Sequence, residues 1–527
     1  YNTLSSGSGK GVHLISSNNM TVEGNTANNW NVGMYSQSSA DVLFHNNTVN
    51  ACSYGIYLYT SSTRNVLVEN RVSNCGIGGV TVEASMYNTF YDNNLTGTSF
   101  YIQYSSSDVF AHQEIPDNNT VNGRPVYYYA NVNMDNASVP LDAGQVILAS
   151  VQYLNVAGLN LSDQNAGLLI GYSSHIQVAD NLFSGGDPQG VRAVVCTDSV
   201  FHHNTFADCD TGLSLYQSTG NVIDSNIVTV CTVGIALDSC PSNVLGANVI
   251  SDCTRSGIEL SSSNDNALYE NVLVSSSINL EGSEFYFNSQ VIATNNTVNG
   301  RPVYYYANVN MDNASVPLGA GQVILASVQY AHVTGQNLSD QNVGLLIGYS
   351  SHILVDGNTI DNGSPYGARI YHSSDCLIEE NGLEGDDLGI ILDSSSSVAL
   401  RSNELIACGT GLYIHNCDGI EVSSNEVNAD TGINLYTSTS VIVTSNQFLE
   451  CVTGVTVYSS AATVEENIFE DVTSYGIYVD SSNGGIHVLN NVMNDTNNGL
   501  KLWDSDGNEV RGNDISNATY GISIELS

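Results

Sequence analysis

A chain of 527 residues with 52 acidic and 11 basic side chains carries a formal net charge of −41. That balance excludes nucleic-acid binding, which needs clustered Lys and Arg. No run of 18 apolar residues occurs, so no membrane span is predicted in this segment.

Residues 1–111 open the pattern that organises everything after them. Gly11-Val12, Gly33-Met34, Gly55-Ile56 and Gly79-Val80 each begin a short apolar–polar alternation, cut by Asn, Asp, Ser and Gly. Such alternation over three to five residues describes half-buried strands joined by tight turns. One Asn stands before the last apolar pair of each unit. It is followed from Asn25, Asn47, Asn70 and Asn94 through Asn204, Asn226, Asn248, Asn403 and Asn425 to Asn513. Spacings are 21 to 25 residues, apart from two steps of 41 that end at Asn160 and Asn337. Asn tolerates left-handed backbone angles, and its amide can bond the amide one repeat away. The expected fold is therefore all-β: a single right-handed parallel β-helix of about 21 to 23 rungs over residues 1–527. At a strand spacing of roughly 4.8 Å it would be a rod on the order of 100 Å long.

Residues 112–178 interrupt the regular spacing, and residues 289–355 repeat them 177 positions later. Between 118 and 178 only seven positions differ from the second copy, which points to a recent internal duplication. Each copy is expected to carry a side excursion, about 123–143 and 300–320, read as an extra hairpin on an ordinary rung. The triple tyrosines Tyr127, Tyr128, Tyr129 and Tyr304, Tyr305, Tyr306 are candidates for a contact surface; the other reading has them cover the core under the excursion.

Eleven cysteines follow the repeat. Cys52, Cys75, Cys209, Cys231 and Cys253 sit a few residues past the ladder Asn, as do Cys408 and Cys451. Equivalent positions on successive rungs lie roughly 5 Å apart, within disulfide reach. Two readings stay open: bridges such as Cys52–Cys75, or a column of buried thiols. No Cys-x-x-Cys zinc spacing occurs. Asp386-Asp387 resembles the paired carboxylates of polygalacturonase-type hydrolases, but that family's His-Gly and Arg-Ile-Lys elements are not here, and the pair is read as a solvated turn. His202-His203 is the one adjacent histidine pair; strand neighbours point to opposite faces, so joint metal binding is not expected. Acidic turns around Asp356 and Asp361 leave Ca²⁺ as a cofactor expectation, with no other cofactor and no catalytic residue assigned. Twelve Asn-x-Ser/Thr sequons, among them Asn46, Asn94, Asn136, Asn313 and Asn517, permit N-glycosylation outside the cell.

The phrase Gly-Ile-x-Leu-x-x-Ser-x-x-Asn-x-Val-x-x-Asn-x-Val resembles the right-handed β-helix repeats of the NosD-like and carbohydrate-binding/sugar-hydrolase superfamily. The segment Asn-Gly-Arg-Pro-Val-Tyr-Tyr-Tyr … Ala-Gly-Gln-Val-Ile-Leu-Ala is similar to a module of large surface proteins of methanogenic archaea. The resemblance implies the fold and a surface location. The chain opens and stops mid-rung, and the last residues, Leu526-Ser527, match the register of the first, Tyr1-Asn2. The expectation is a processed piece of a longer precursor whose open ends stack head to tail, with lateral contacts as a further form of self-association. The expected function is a structural, non-enzymatic subunit of an extracellular surface layer, sheath or filament. The alternatives are a glycan-binding or glycan-cleaving β-helix protein and a NosD-like copper-handling factor.

Overall fold

A computed structural model describes residues 2–103, 106–482 and 484–525. Tyr1 and Leu526-Ser527, on which the head-to-tail match rests, lie outside the described residues. The chain forms two compact units, residues 1–253 with 257–271 and residues 254–256 with 272–527. Each is a parallel β-helix.

In the first unit a rung consists of three strands, as in Leu43–His45, Thr48–Asn50 and Tyr54–Tyr59. The next rungs repeat them in register: Phe44 lies beside Leu67, and Leu67 beside Phe90. Val49 pairs with Val72, and Val72 with Leu95. The middle residue of each three-residue strand points inward, because side chains alternate across a strand. These inward residues are fully buried, each contributing about 1.5–3 kcal/mol of transfer free energy. The second unit builds its core the same way, with Ile378, Leu400, Val422 and Val443 stacked in one column.

The Gly that opens the longest strand of a rung is required by close approach. A Cβ at Gly411 would lie 2.8 Å from the Gly432 carbonyl oxygen and 3.0 Å from Val427. Turns between strands pass through left-handed angles, as at Asn46, Glu69 and Asp92.

The segments expected as side excursions lie within the sheets. In the first unit Arg124–Ser138 pairs in parallel with Gln145–Ala157, Val126 beside Gln145 and Ser138 beside Asn155. Hairpin geometry is confined to Thr120–Val121 against Arg124–Pro125. In the second unit Arg301–Ala307 pairs in parallel with Gln322–Ala326. A one-turn helix precedes each segment: α1 (Ser107–Ala111) and α2 (Glu284–Asn288). Phe110 and Phe287 of these helices are buried where Gly171 and Gly348 leave room; a Cβ at either glycine would meet the ring within 2.4 Å.

Candidate functional site

The outward face of one sheet in the second unit is an aromatic strip. It is built by Tyr366–Tyr371, Leu388–Asp393, Glu404–His415, Glu426–Tyr436, Thr453–Tyr458, Tyr475–Asp480 and Asn498–Trp503. Register places Tyr371, Asp393, His415, Tyr436, Tyr458, Asp480 and Trp503 in a single column. Inward neighbours such as Ile414 and Leu435 fill the core, so this set must face out. Two residues earlier on the same face stand Arg369, Tyr413, Tyr478 and Lys501.

The rings contact one another from rung to rung. Centroids lie 5.6 Å apart for His415 and Tyr436, 6.3 Å for Tyr436 and Tyr458, and 6.0 Å for Tyr458 and Tyr478. Phe287 of α2 stacks on Tyr371 at 5.8 Å, so the helix closes one end of the strip. Both cations on the face are already held by carboxylates: Arg369 by Glu281 at 3.4 Å and Lys501 by Glu525 at 3.3 Å. Asp393 lies 3.1 Å from His415 Nδ1. Tyr478 donates to Asp480 at 3.1 Å, and burial together with that carboxylate pushes its phenol up to about 12. Partly exposed rings carrying phenol hydroxyls, with no spare Lys or Arg beside them, suit an uncharged, amphipathic ligand.

The first unit carries a shorter aromatic ladder and a groove. His13, Tyr35 and Tyr57 share a column, and Lys10 Nζ lies 3.6 Å above the Tyr35 ring. The groove has a volume of about 720 Å³ and is lined by Trp30, Cys52, Gly76 and Asp187 among others. A neighbouring cavity of about 320 Å³ is lined by Cys75, Gln164, Asn165 and Asp187. Burial, with Asp210 nearby, holds the Asp187 carboxyl above its ordinary range.

The residues singled out from sequence fall as follows. Asn204, Asn226 and Asn248 hydrogen-bond in series, as do Asn403 and Asn425: each Oδ1 accepts the backbone N–H and the amide of the Asn one rung before. At the fourth rung the ladder position is held by Asn93 and not by Asn94, which is exposed. At the two long steps it passes to Leu159 and Gln336, leaving Asn160 and Asn337 outside. A parallel ladder of Ser and Cys went unread in the sequence. Ser395 N–H donates to Cys417 Sγ and Cys417 N–H to Ser438 Oγ. Its signal was the recurring Ser two residues after each long strand.

All eleven cysteines are buried thiols. Cys52, Cys75, Cys209, Cys231 and Cys253 each donate to the carbonyl two residues before. Tyr128 and Tyr305 lie against the one-turn helices and donate to the carbonyls of Phe110 and Phe287. Tyr127 and Tyr129 stack with centroids 6.5 Å apart, and Tyr304 and Tyr306 pack on the core of the second unit. The sequon residues Asn46, Asn94, Asn136, Asn313 and Asn517 are all exposed.

Two local readings are corrected. Asp386 is not in a solvated turn: it is 1% exposed, and only Asp387 faces solvent. It stands in the inward column that Cys408 occupies one rung later, and burial pushes its carboxyl up to about 8. Gly363 N–H donates to Oδ1, while Oδ2 has no partner. His202 and His203 do not diverge. A left-handed angle at His203 ends the strand and brings their Nδ1 atoms within 3.2 Å, with Asp180 3.9 Å from His203.

Comparison with known proteins places the sequence. The family profile described as periplasmic copper-binding protein (NosD) matches residues 1–126 and 113–309, and that of the right-handed β-helix region matches 306–448 and 370–515. No curated protein matches the sequence. Similar solved structures include the periplasmic alginate epimerase AlgG, at 13% identity over 60% of this chain and 76% of that one, TM-score 0.27. They also include DFA-IIIase from Arthrobacter chlorophenolicus A6, at 9% identity over 68% and 74%, TM-score 0.26. PfbA, a surface adhesin of Streptococcus pneumoniae, matches at 12% identity over 67% and 83%, TM-score 0.23. These likenesses concern fold alone. Because two of them are enzymes, the expectation that the chain is not an enzyme is withdrawn. The donor sets do not fit copper: among the described residues no group of three or more His, Cys, Asp and Glu side chains could hold a metal ion. No helix among them is long and apolar enough to cross a membrane.

Proposed function

The chain belongs to the NosD family of right-handed β-helix proteins, and from that premise we propose that it acts outside the cytoplasm by engaging carbohydrate along the aromatic strip of its second unit. The observation that carries this reading is the column Tyr371, Asp393, His415, Tyr436, Tyr458, Asp480 and Trp503 on one outward face, five rings and two carboxylates. Sugar rings lay their C–H faces on aromatic rings and their hydroxyls against phenols and carboxylates. The rung repeat is close to the length of one sugar in an extended chain, so a polysaccharide can follow the strip. A net charge of −41 and cations already paired favour an uncharged polymer over an acidic one. The periplasmic description of the family and the surface adhesin among the similar structures support a periplasmic or cell-surface location.

The test is affinity electrophoresis in gels containing a neutral β-glucan, a mannan or polygalacturonate. The wild type is expected to be retarded by a neutral polymer. Tyr436→Ala with Tyr458→Ala should weaken that retardation about tenfold, or about 1.4 kcal/mol. Unretarded migration in every gel would reject the reading.

A second reading, self-association into a surface layer, sheath or filament, is favoured by another face. In the first unit Leu182, Thr205, Ile227 and Val249 form one outward column, and Leu182, Ile227 and Val249 are 37%, 49% and 44% exposed. A flat, largely apolar stripe across successive rungs suits lateral packing of a second copy. Sedimentation velocity should show concentration-dependent assembly that Ile227→Lys with Val249→Lys abolishes. A wild type that stays monomeric at every concentration would sink it.

A further inference from the structure

The cysteines of the first unit are placed differently with respect to solvent-filled space. Cys52 and Cys75 occupy the same turn on adjacent rungs, and the Gly76 N–H donates to the Cys52 carbonyl at 3.0 Å. Cys52 lines the 720 Å³ groove beside Trp30, and Cys75 lines the 320 Å³ cavity next to it. Cys209 and Cys231 repeat the same side-by-side arrangement, but neither lines either space.

The surroundings of Cys52 favour its thiolate. When Cys52 ionises, the Cys75 thiol can turn from the Ser73 carbonyl to the Cys52 sulfur, and the neighbouring backbone of Trp30 and Asn29 favours the thiolate as well. Asn29, which lines the same groove, has a left-handed φ of 58°. These neighbours hold the Cys52 thiol below the ordinary cysteine range, while donation to Cys52 and burial raise that of Cys75. The one carboxylate lining both spaces, Asp187, is itself held above its ordinary range by burial and by Asp210, which limits its repulsion of a thiolate. A nucleophilic thiolate on a groove with a second thiol one rung away is the arrangement of an exchanging dithiol.

We propose that Cys52 and Cys75 form a redox-active pair that reduces small disulfides entering the groove beside Trp30. The Cys52 thiolate attacks one sulfur of the disulfide. The sulfur–sulfur bond breaks, and the departing half leaves as a thiolate and takes a proton from water. Cys75 then loses its proton to water and attacks the Cys52 sulfur, expelling the second half as a thiolate that takes a proton from water in turn. A Cys52–Cys75 disulfide remains, and two electrons have passed from the cysteines to the substrate, now two thiols. Successive rungs place the two Cα atoms roughly 4.8 Å apart, inside the range a disulfide accepts. No strand has to move.

The experiment treats the reduced, folded chain with 2-hydroxyethyl disulfide, quenches with acid, and maps the cysteines by mass spectrometry. Trypsin cuts after Arg64 and Arg71, between the two cysteines, so their linkage is read directly. A Cys52–Cys75 bridge is expected while Cys209 and Cys231 remain thiols. Cys75→Ser should stop at a hydroxyethyl adduct on Cys52, and Cys52→Ser should leave Cys75 unmodified. If either variant misfolds by circular dichroism, iodoacetamide on the native wild type decides: Cys52 should be alkylated at least tenfold faster than Cys209. Reaction of Cys209 as fast as Cys52, or of Cys52 only in denaturant, overturns the proposal.

Discussion

Replacing Asp386 with Cys is expected to stabilise the second unit strongly at pH 8 and hardly at all at pH 4. Cys is the residue found 177 positions earlier, at Cys209, and one rung later, at Cys408. The Asp386 carboxyl is raised from 3.8 to about 8 because it is buried, with Asp361 and Asp387 adding repulsion. An acid whose folded value exceeds its unfolded value holds its proton more tightly when folded. Its contribution to stability is therefore intact below pH 4 and is lost as pH rises from about 4 to 8. Each pKa unit is worth about 1.4 kcal/mol, which puts the ceiling near 6 kcal/mol. The side chain is 1% exposed, so little of this is screened by solvent. Urea midpoints for both proteins at pH 4 and pH 8 measure it. A difference of equal size at both pH values would show that packing, not ionisation, sets the effect.

The second large effect is expected at Asn425. Its Oδ1 accepts the Asn403 backbone N–H at 2.9 Å and the Asn403 amide at 3.0 Å. Its own amide donates to the Leu400 carbonyl at 3.0 Å and to Asn446 Oδ1 at 2.9 Å. Asn425→Ala would strand several of these groups inside the helix at once. A buried polar group without its partner costs about 1–3 kcal/mol, so a loss of roughly 3–5 kcal/mol is expected in the second unit. Asn425→Asp keeps an acceptor but cannot donate, and it places a charge inside. It should be no better than Ala at pH 7 and should recover partly at pH 4. Thermal unfolding followed by circular dichroism separates these outcomes; an alanine variant within about 1 kcal/mol of wild type would show that water repairs the ladder.

The sequence by itself determined the rung, its strands, their inward residues and the Asn column. All of these are local: period-two alternation assigns faces within a strand, and a residue type recurring every 22 or so positions stacks on itself in a parallel solenoid. It also carried the duplicated module and the sharing of one turn by Cys52 and Cys75. What it could not carry is which outward residues meet. Tyr371, His415, Tyr436 and Trp503 sit on different strands, and turn lengths that vary by a few residues decide whether they share a column. The same slack hid the change from Asn94 to Asn93 in the ladder, since neighbouring Asn residues read alike until one must face inward. Asp386 looked solvated because a charged residue in a turn usually is; only the inward column it shares with Cys408 buries it. His202 and His203 looked divergent until one left-handed angle brought their rings together. Placement inside or outside is a property of the stacked rungs, and there the tertiary structure decided.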